Sequence, residues 1–341
     1  MTLPLSWSWA DVVDQLAAER GSLAELARHL SDVVPESAGL SPDPMTIERG
    51  LRRLRGRGNR EGNRYGRLIL RHLGLPGPIE VWIRQMGLYH SRSSDLPVER
   101  KRAQLLRWDC PPVSESKAAI WVHIGLASVA HQLGDEAQLE HRMGLARLLA
   151  KRASPEPKME FVLFWALVAY GKGDAEQSER LLGEAEGLLE QMEAEDERAC
   201  FEARLLDQRA YLCARRDPGN KARLKEAQKL IEAIPVHGAP PFAAFRRAHS
   251  LAWSLWKQGE REEAVEAARL ASQHAGDGGL IRFRIMSLGL LAHILGPGQS
   301  EGLAALRRAQ AMARRLGDAR LVGRMERFEA RLHGGQTQGA G

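Results

Sequence analysis

The 341-residue sequence contains no long hydrophobic run, only three cysteines and few aromatic residues. No stretch of about eighteen uncharged apolar residues is present, so the sequence excludes a membrane-spanning helix. Residues 1–9 carry neither a basic segment nor an extended apolar segment, which argues against a secretory signal and predicts a cytoplasmic protein. Cys110, Cys200 and Cys213 are odd in number and lack C-x-x-C spacing, which favours reduced thiols over a disulfide framework or a zinc site.

Signatures of catalysis are also missing from the sequence. There is no phosphate-binding loop G-x-x-x-x-G-K-[ST], no G-x-S-x-G motif and no G-x-G-x-x-G after a strand. His123, His131 and His141 belong to no H-E-x-x-H motif, so they predict no metal site. Alternating strand patterns are absent, which removes most α/β catalytic folds. We expect an all-α, non-catalytic protein without a cofactor or a bound metal.

Positive charge is concentrated in one short segment. The net charge of the chain is +6, but residues 46–72 alone hold nine arginines and two acids, a net charge of +7. The sign reverses in residues 174–202, where eleven acids accompany two arginines. Ordinary surfaces intersperse both signs, so this asymmetry predicts a polyanionic partner for the N-terminal part. The acidic run is either a solvated helix face or a segment that docks on the basic one and masks it.

Capping signals predict two helices before the basic segment. Ser8 starts the first, because Asp11 follows three residues later as in a capping box, and Gly21 ends it. Ser22 starts the second, which is short. A loop rich in proline and serine is expected over residues 31–41.

Two further helices are predicted within the basic segment. Asp43 is the expected N-cap of the third helix, residues 45–55, and the proline that follows it suits the first helical position. Its apolar side chains recur at helical spacing and predict one packed face: Ile47, Leu51 and Leu54. A fourth helix is expected over residues 65–73, and we place a domain boundary at residue 76.

The first three helices resemble a helix-turn-helix DNA-binding domain, with the second as supporting helix and the third as recognition helix. The major groove of DNA admits one α-helix, and arginine can donate two hydrogen bonds to guanine. The resemblance implies that the base or groove contacts come from Thr46, Arg49 and Arg53. It implies that the phosphate contacts come from Arg52, Arg55, Arg57 and Arg60. The loop before the third helix, about twelve residues, exceeds the usual three or four, so either the turn carries an insertion or the helical arrangement is a different one.

Plain solvated surface and RNA binding are the alternatives for the basic segment. Residues 55–60 read as a flexible basic loop of the kind that follows an RNA backbone. Tyr65 is the only aromatic residue in the segment 46–72, so little is available to stack on bases. Double-stranded DNA is therefore the favoured partner.

Small residues and glycine turns recur in the same order beyond residue 113. The candidate turns are Gly134, Gly173, Gly259 and Gly296, separated by 39, 86 and 37 residues. The 86-residue gap predicts one degenerate repeat that turns near residues 215–219. Around Gly259, alanines on both sides of the turn would let two antiparallel helices approach closely.

This order resembles the tetratricopeptide repeat, although the spacing of the turns exceeds the usual period of about 34 residues. The resemblance implies an α-solenoid over residues 114–333, capped by a last helix near residues 321–332. It also implies a groove that binds a protein or peptide. Residues 77–113 are expected to connect the two parts, and residues 334–341 to form a disordered tail.

These patterns together predict an all-α, DNA-binding transcriptional regulator whose solenoid receives a protein or peptide signal. A homodimer would suit such a regulator, because paired half-sites raise affinity. The alternative is a scaffold or adaptor that assembles proteins through its repeats while the head packs against a partner. Assembly that is insensitive to salt and needs no nucleic acid would favour the alternative.

Overall fold

The computed structural model describes residues 6–34, 43–217 and 220–334. These ranges contain seventeen α-helices and no β-strand, which confirms the predicted all-α class. The chain divides into two compact units. The first consists of residues 1–88, 100–129 and 137–153, and the second of residues 89–99, 130–136 and 154–341.

Eight helices lie wholly or mostly in the first unit. They are α1 (Trp9–Glu19), α2 (Leu23–Val33), α3 (Pro44–Arg55), α4 (Arg64–His72), α5 (Gly77–Gly87), α6 (Val98–Trp108), α7 (Ala119–Leu133) and α8 (Glu136–Ala150). A short 3-10 helix, Val113–Glu115, precedes α7. The predicted connector, residues 77–113, thus includes α5 and α6.

The predicted caps of α1 and α3 are confirmed. The Ser8 hydroxyl accepts a hydrogen bond from the Asp11 amide, and the Asp11 carboxylate accepts one from the Ser8 amide at 2.7 Å. The Asp43 carboxylate accepts hydrogen bonds from the first backbone amides of α3. Helix α2 runs to Val33, beyond the expected start of the loop, and residues 35–41 of that loop lie outside the described residues.

The head of the first unit is built around the buried face of α3. Helices α1, α2 and α3 contact one another pairwise, and α3 also contacts α4. Ile47, Leu51 and Leu54 are 0% exposed, as the periodicity predicted. Each such side chain contributes on the order of 1.5–3 kcal/mol through burial, so this face fixes α3 in the head.

A glycine in the middle of α3 sets its distance from α4. The ring of Tyr65, in the first turn of α4, lies against Gly50, where an added Cβ would be 2.2 Å from Tyr65 Cε2. The Tyr65 hydroxyl also approaches the Thr46 carbonyl oxygen at 3.5 Å. Only glycine lets the ring and the helix backbone approach this closely.

Nine helices form the second unit together with a 3-10 helix, Arg92–Asp95. They are α9 (Pro155–Gly171), α10 (Ala175–Leu189), α11 (Glu195–Arg216), α12 (Lys221–Glu232), α13 (Pro241–Gln258), α14 (Arg261–Asp277), α15 (Ile281–Leu295), α16 (Ser300–Leu316) and α17 (Ala319–Gly334). Each helix packs against the next along the chain, as in a solenoid. The odd-numbered helices also contact one another: α9 contacts α11, α11 contacts α13, α13 contacts α15 and α15 contacts α17. We call these five helices the odd-helix layer.

The predicted repeat turns coincide with the helix junctions. All four predicted turn glycines have positive φ, between 72° and 90°, which β-carbon-bearing residues rarely adopt. The predicted degenerate repeat corresponds to the pair α11 and α12. Helix α11 ends at Arg216 and α12 begins at Lys221. The predicted small residues of α13 and α14 are buried: Ala248, Ala252, Ala264, Ala268 and Ala271.

Within the described ranges, no helix combines the length and apolar character needed to cross a membrane.

We expect Gly50→Ala to destabilise the protein by about 1–3 kcal/mol, because the new methyl group overlaps the Tyr65 ring. Gly144→Ala, in the interior of α8, is the matched control. A Cβ added at Gly144 would meet no other atom within 4 Å, so alanine should stabilise the helix by about 0.5–1 kcal/mol. Urea unfolding of both variants measures the difference. Equal effects of the two substitutions would contradict the close approach of α4 to α3.

Candidate nucleic-acid interface

The face of α3 opposite its buried residues is cationic. At about 100° per residue, Met45, Thr46, Arg49, Arg52 and Arg53 fall within an arc of about 120°. The three arginines are exposed, and Met45 is 63% exposed. The buried side of the helix thus faces the head, while guanidinium groups and one apolar side chain face solvent.

The arginines of this face differ in how far the protein itself engages them. Arg52 forms a 2.5 Å ion pair with Glu48, one turn earlier on the same helix. Arg49 reaches only a long 3.4 Å contact with the Met45 carbonyl oxygen. Arg53 has no hydrogen-bond or ion-pair partner in the described part of the chain. Arg49 and Arg53 are therefore the most available cations on α3.

Thr46 takes part in the cap of α3. Its hydroxyl donates a 2.7 Å hydrogen bond to Asp43 Oδ2, and its amide donates to the same oxygen at 3.1 Å. The Thr46 hydroxyl and the Met45 amide lower the pKa of the Asp43 carboxyl. With its proton held by Asp43, the hydroxyl of Thr46 is left with its acceptor capacity for any further contact.

Arg55 ties the C-terminal end of α3 to α1. Its Nε lies 2.6 Å from Asp14 Oδ1, and its second guanidinium nitrogen donates to Asp14 Oδ2 at 3.0 Å. Such a two-point pair is geometrically specific. A phosphate that binds Arg55 would have to compete with Asp14, which distinguishes Arg55 from Arg53.

The loop between α3 and α4 is fixed by contacts with the rest of the first unit. The buried indole of Trp9 donates a 2.9 Å hydrogen bond to the Arg60 carbonyl oxygen, and the Trp9 amide donates to the Gly58 carbonyl oxygen. Asn59 Nδ2 donates to the carbonyl oxygens of Trp7 and Pro111. The sequence-based expectation of a flexible basic loop was therefore wrong, because its backbone is held at several points.

Arg57 and Arg60 lie on this loop, and they differ in whether their side chains are hydrogen-bonded within the protein. Arg57 Nε donates a 2.7 Å hydrogen bond to the Glu61 carbonyl oxygen. Arg60 is exposed and makes no polar contact through its side chain with the described residues. Two exposed arginines that the sequence analysis did not assign, Arg67 and Arg71, occupy one face of α4. Their spacing of four residues places both on the same helix face, so they could have been identified from the sequence.

A second concentration of charge lies among residues of the odd-helix layer and Tyr89. We call it the inner cluster, and its members are Tyr89, Arg204, Asp207, Arg246, His249 and Arg324. Arg204 is 3% exposed and forms a two-point ion pair with Glu160, which is 2% exposed. Its guanidinium also lies 4.7 Å from the centre of the Tyr89 ring.

The centre of the inner cluster is polar as well. Arg246 Nε lies 3.3 Å from Asp207 Oδ2, and another Arg246 nitrogen donates to the Tyr89 hydroxyl at 3.3 Å. Asp207 also accepts a hydrogen bond from the Ser250 hydroxyl. His249 is 4% exposed, and its Nδ1 is buried without a hydrogen-bond partner among the described residues. Burial, together with the charges of Arg246 and Arg324, lowers the pKa of His249 to about 3.

The second unit also carries a groove of about 1370 Å³ beside α13 and α14. Its lining includes apolar side chains of α13, namely Ala244, Ala248, Leu251 and Leu255. Arg261 of the lining donates to the Ile294 carbonyl oxygen, and Arg269 pairs with Glu301. The lining also includes Glu262, Glu263 and Glu266, so the groove combines apolar side chains with acidic ones.

No protein-family model matches this chain, and no curated protein matches its sequence. In the described ranges, no group of three or more histidine, cysteine, aspartate or glutamate side chains is placed to hold a metal ion.

The lowered pKa of His249 predicts that acid destabilises the fold. In the unfolded chain the imidazole has a pKa of about 6.5, whereas the folded protein keeps it neutral down to about pH 3. Stability from this group is therefore complete above pH 6.5 and is lost as the pH falls towards 3. Between pH 7.5 and 5.5 we expect the wild type to lose about 1.4 kcal/mol more than His249→Gln.

Urea unfolding at the two pH values measures this difference. His237→Gln, at an exposed histidine, is the control and should behave like the wild type. An identical pH response of wild type and His249→Gln would show that His249 is not held neutral in the interior.

Proposed function

We propose that this protein is a non-catalytic, DNA-binding transcriptional regulator. Helices α1–α4 form its DNA-binding head, and the helical-repeat second unit binds a protein or peptide signal. The observation that carries the proposal is the exposed face of α3, where Arg49 and Arg53 are available while the opposite face is locked in the core.

Three properties of the head support DNA as the partner. Helices α1, α2 and α3 pack pairwise, so α3 is held rigidly with its cationic face outward. One helix of this size fits the major groove, where arginine pairs with guanine and an apolar side chain can contact the thymine methyl group. Met45 and Thr46 lie in the first turn of α3, the part of a recognition helix that reaches base edges.

The flanking arginines suit the phosphate backbone. Arg60 follows α3 on a loop whose backbone is anchored by Trp9, and Arg67 and Arg71 are exposed on α4. Fixed cations lose less conformational freedom on binding than mobile ones. Among the predicted phosphate contacts, Arg52 and Arg55 first have to share or leave Glu48 and Asp14. We therefore rank Arg60 above Arg55 as a phosphate contact.

RNA is the weaker candidate because the features that favour it are reduced in the folded head. The loop 56–62 is anchored and does not follow a flexible strand freely. Tyr65 packs against Gly50 and cannot stack on a base without leaving α3.

The groove beside α13 and α14 supports the signal-binding part of the proposal. Its lining combines apolar side chains with three glutamates, and Arg261 and Arg269 are engaged within the protein, so a peptide segment fits it better than a polyanion. The same groove supports the second candidate function, a scaffold that binds proteins through its repeats. The two functions differ in whether the head binds DNA.

The full-length double variant Arg49→Ala/Arg53→Ala should bind duplex DNA at least about tenfold more weakly than the wild type, because two groove contacts are lost. It should also show a shallower dependence of affinity on salt if either arginine contacts phosphate. Fluorescence anisotropy with labelled mixed-sequence duplex DNA and single-stranded RNA, across a salt series, measures both effects.

The control is Arg314→Ala/Arg315→Ala, which removes two exposed arginines of α16. It should leave duplex affinity within about twofold of the wild type if the contacts of α3, and not the net charge of the chain, set the affinity. Equal losses in the two double variants would mean that only net charge matters. No duplex binding at low salt would discard the regulator and favour the scaffold, and preference for RNA would reverse the assignment of the head.

A further inference from the structure

We propose that the groove beside α13 and α14 binds a basic, amphipathic α-helix of a partner protein. The inference rests on the proposed function, because it specifies which kind of protein signal the second unit receives. All residues that line the groove belong to the second unit. Apolar side chains of the partner helix lie along α13 in this arrangement, and its lysine or arginine side chains pair with Glu262 and Glu263.

The size of the groove fits a polypeptide segment better than a small molecule. Its volume is about 1370 Å³, whereas sites for small molecules usually have about 300–1,000 Å³. Its floor is a row of apolar residues of α13 at helical spacing, namely Ala244, Ala248, Leu251 and Leu255. At about 1.5 Å per residue this row is about 16 Å long, which corresponds to about three turns of a helix laid along it.

Two large apolar side chains of the lining are exposed to solvent. Val236, which follows α12, is 41% exposed, and Leu270 of α14 is 46% exposed. Packing within the chain leaves them uncovered beside the apolar floor, as is common where another protein binds. The small floor residues Ala244 and Ala248 allow a further helix to approach α13 closely.

The arginines of the lining already have hydrogen-bond partners within the protein. Arg247 and Arg261 donate to backbone carbonyl oxygens at 3.3 and 3.1 Å. Arg269 donates to both carboxylate oxygens of Glu301, at 2.9 and 2.6 Å. An anionic partner would therefore have to displace contacts that the fold has made.

Two glutamates of the lining are available to a partner. Glu266 forms an ion pair with Arg269. Glu262 and Glu263, in the first turn of α14, are exposed and form no ion pair or side-chain hydrogen bond within the described part of the chain. An ionised carboxylate only accepts hydrogen bonds, so its complement is a cationic N–H donor. A helix with lysine or arginine beside an apolar face complements both the glutamates and the floor.

The test uses the full-length protein and three fluorescein-labelled synthetic peptides of about fourteen residues, or about four helical turns. The basic probe has leucine on one helix face and lysine beside it. The acidic probe has glutamate in place of every lysine. The proline probe is the basic probe with two central residues replaced by proline, which prevents a continuous helix. Fluorescence anisotropy titrations at low and high salt give the affinities.

Glu262→Lys/Glu263→Lys tests the charge preference. Its matched control is Glu195→Lys/Asp196→Lys, which makes the same charge change in the first turn of α11, outside the groove. Relative to the control, the groove variant should bind the basic probe about three- to tenfold more weakly and the acidic probe more tightly, because exposed ion pairs are individually weak. High salt should reduce both differences, since exposed charges are screened.

Leu270→Gln tests the apolar contact. It should weaken binding of the basic probe about three- to tenfold, because the leucine loses apolar area that the peptide buries. Leu148→Gln, at an exposed leucine of α8 in the first unit, is the control and should bind like the wild type. The proline probe should bind the wild type at least about tenfold more weakly than the basic probe.

Equal affinities of the two double variants for each probe would overturn the proposal, as would equal binding of the basic and proline probes. If Leu270→Gln weakens both charged probes while the double variants behave alike, the groove binds peptides without selecting charge, and only this inference fails. If no probe binds, or no groove variant changes an affinity, the signal-binding part of the proposed function fails with it. DNA binding by α3 is measured separately and depends on neither result.

Discussion

The head of this protein depends on the burial of Trp9. The indole is 0% exposed, and its amide and ring N–H hold two carbonyl oxygens of the loop between α3 and α4. The sequence makes room for the ring with glycine, because an added Cβ at Gly62 or Gly66 would come within 2.6 or 2.8 Å of it. One side chain therefore joins the first helix, the basic loop and the start of α4. The backbone of the loop that carries Arg57 and Arg60 is therefore positioned by this contact together with the hydrogen bonds of Asn59.

The arginines themselves repel one another, so the head needs a core that outweighs them. The side chains on the buried face of α3 supply several kcal/mol through burial, whereas an exposed ion pair such as Arg55 with Asp14 contributes about 0–1 kcal/mol. The acids near the basic segment orient individual arginines but do not cancel its charge. A concentration of like charge that the fold tolerates at its surface is what an electrostatic interface requires.

The parts of the structure that could be predicted from the sequence are those decided by neighbouring residues. The cap at Ser8, the cap at Asp43 and the glycine turns each depend on three or four consecutive residues, and the structure confirms them. The anchoring of the basic loop could not be predicted in this way. Trp9 and Arg60 are 51 residues apart, so their contact exists only after α1 and α3 have packed. Arg55 and Asp14, 41 residues apart, escaped prediction for the same reason.

The inner cluster could not be predicted from the sequence for the same reason, and it shows how buried charges differ from exposed ones. Arginines on the surface of α3 stay solvated by water, so they do not need a partner within the protein. Arg204 and Glu160 are withdrawn from water, and the free energy of that transfer is offset by their two-point ion pair. Sequence patterns could not pair them, because they are 44 residues apart and only tertiary packing brings them together. The fold thus uses its buried charges to join helices and leaves the exposed arginines of α3 available for a partner.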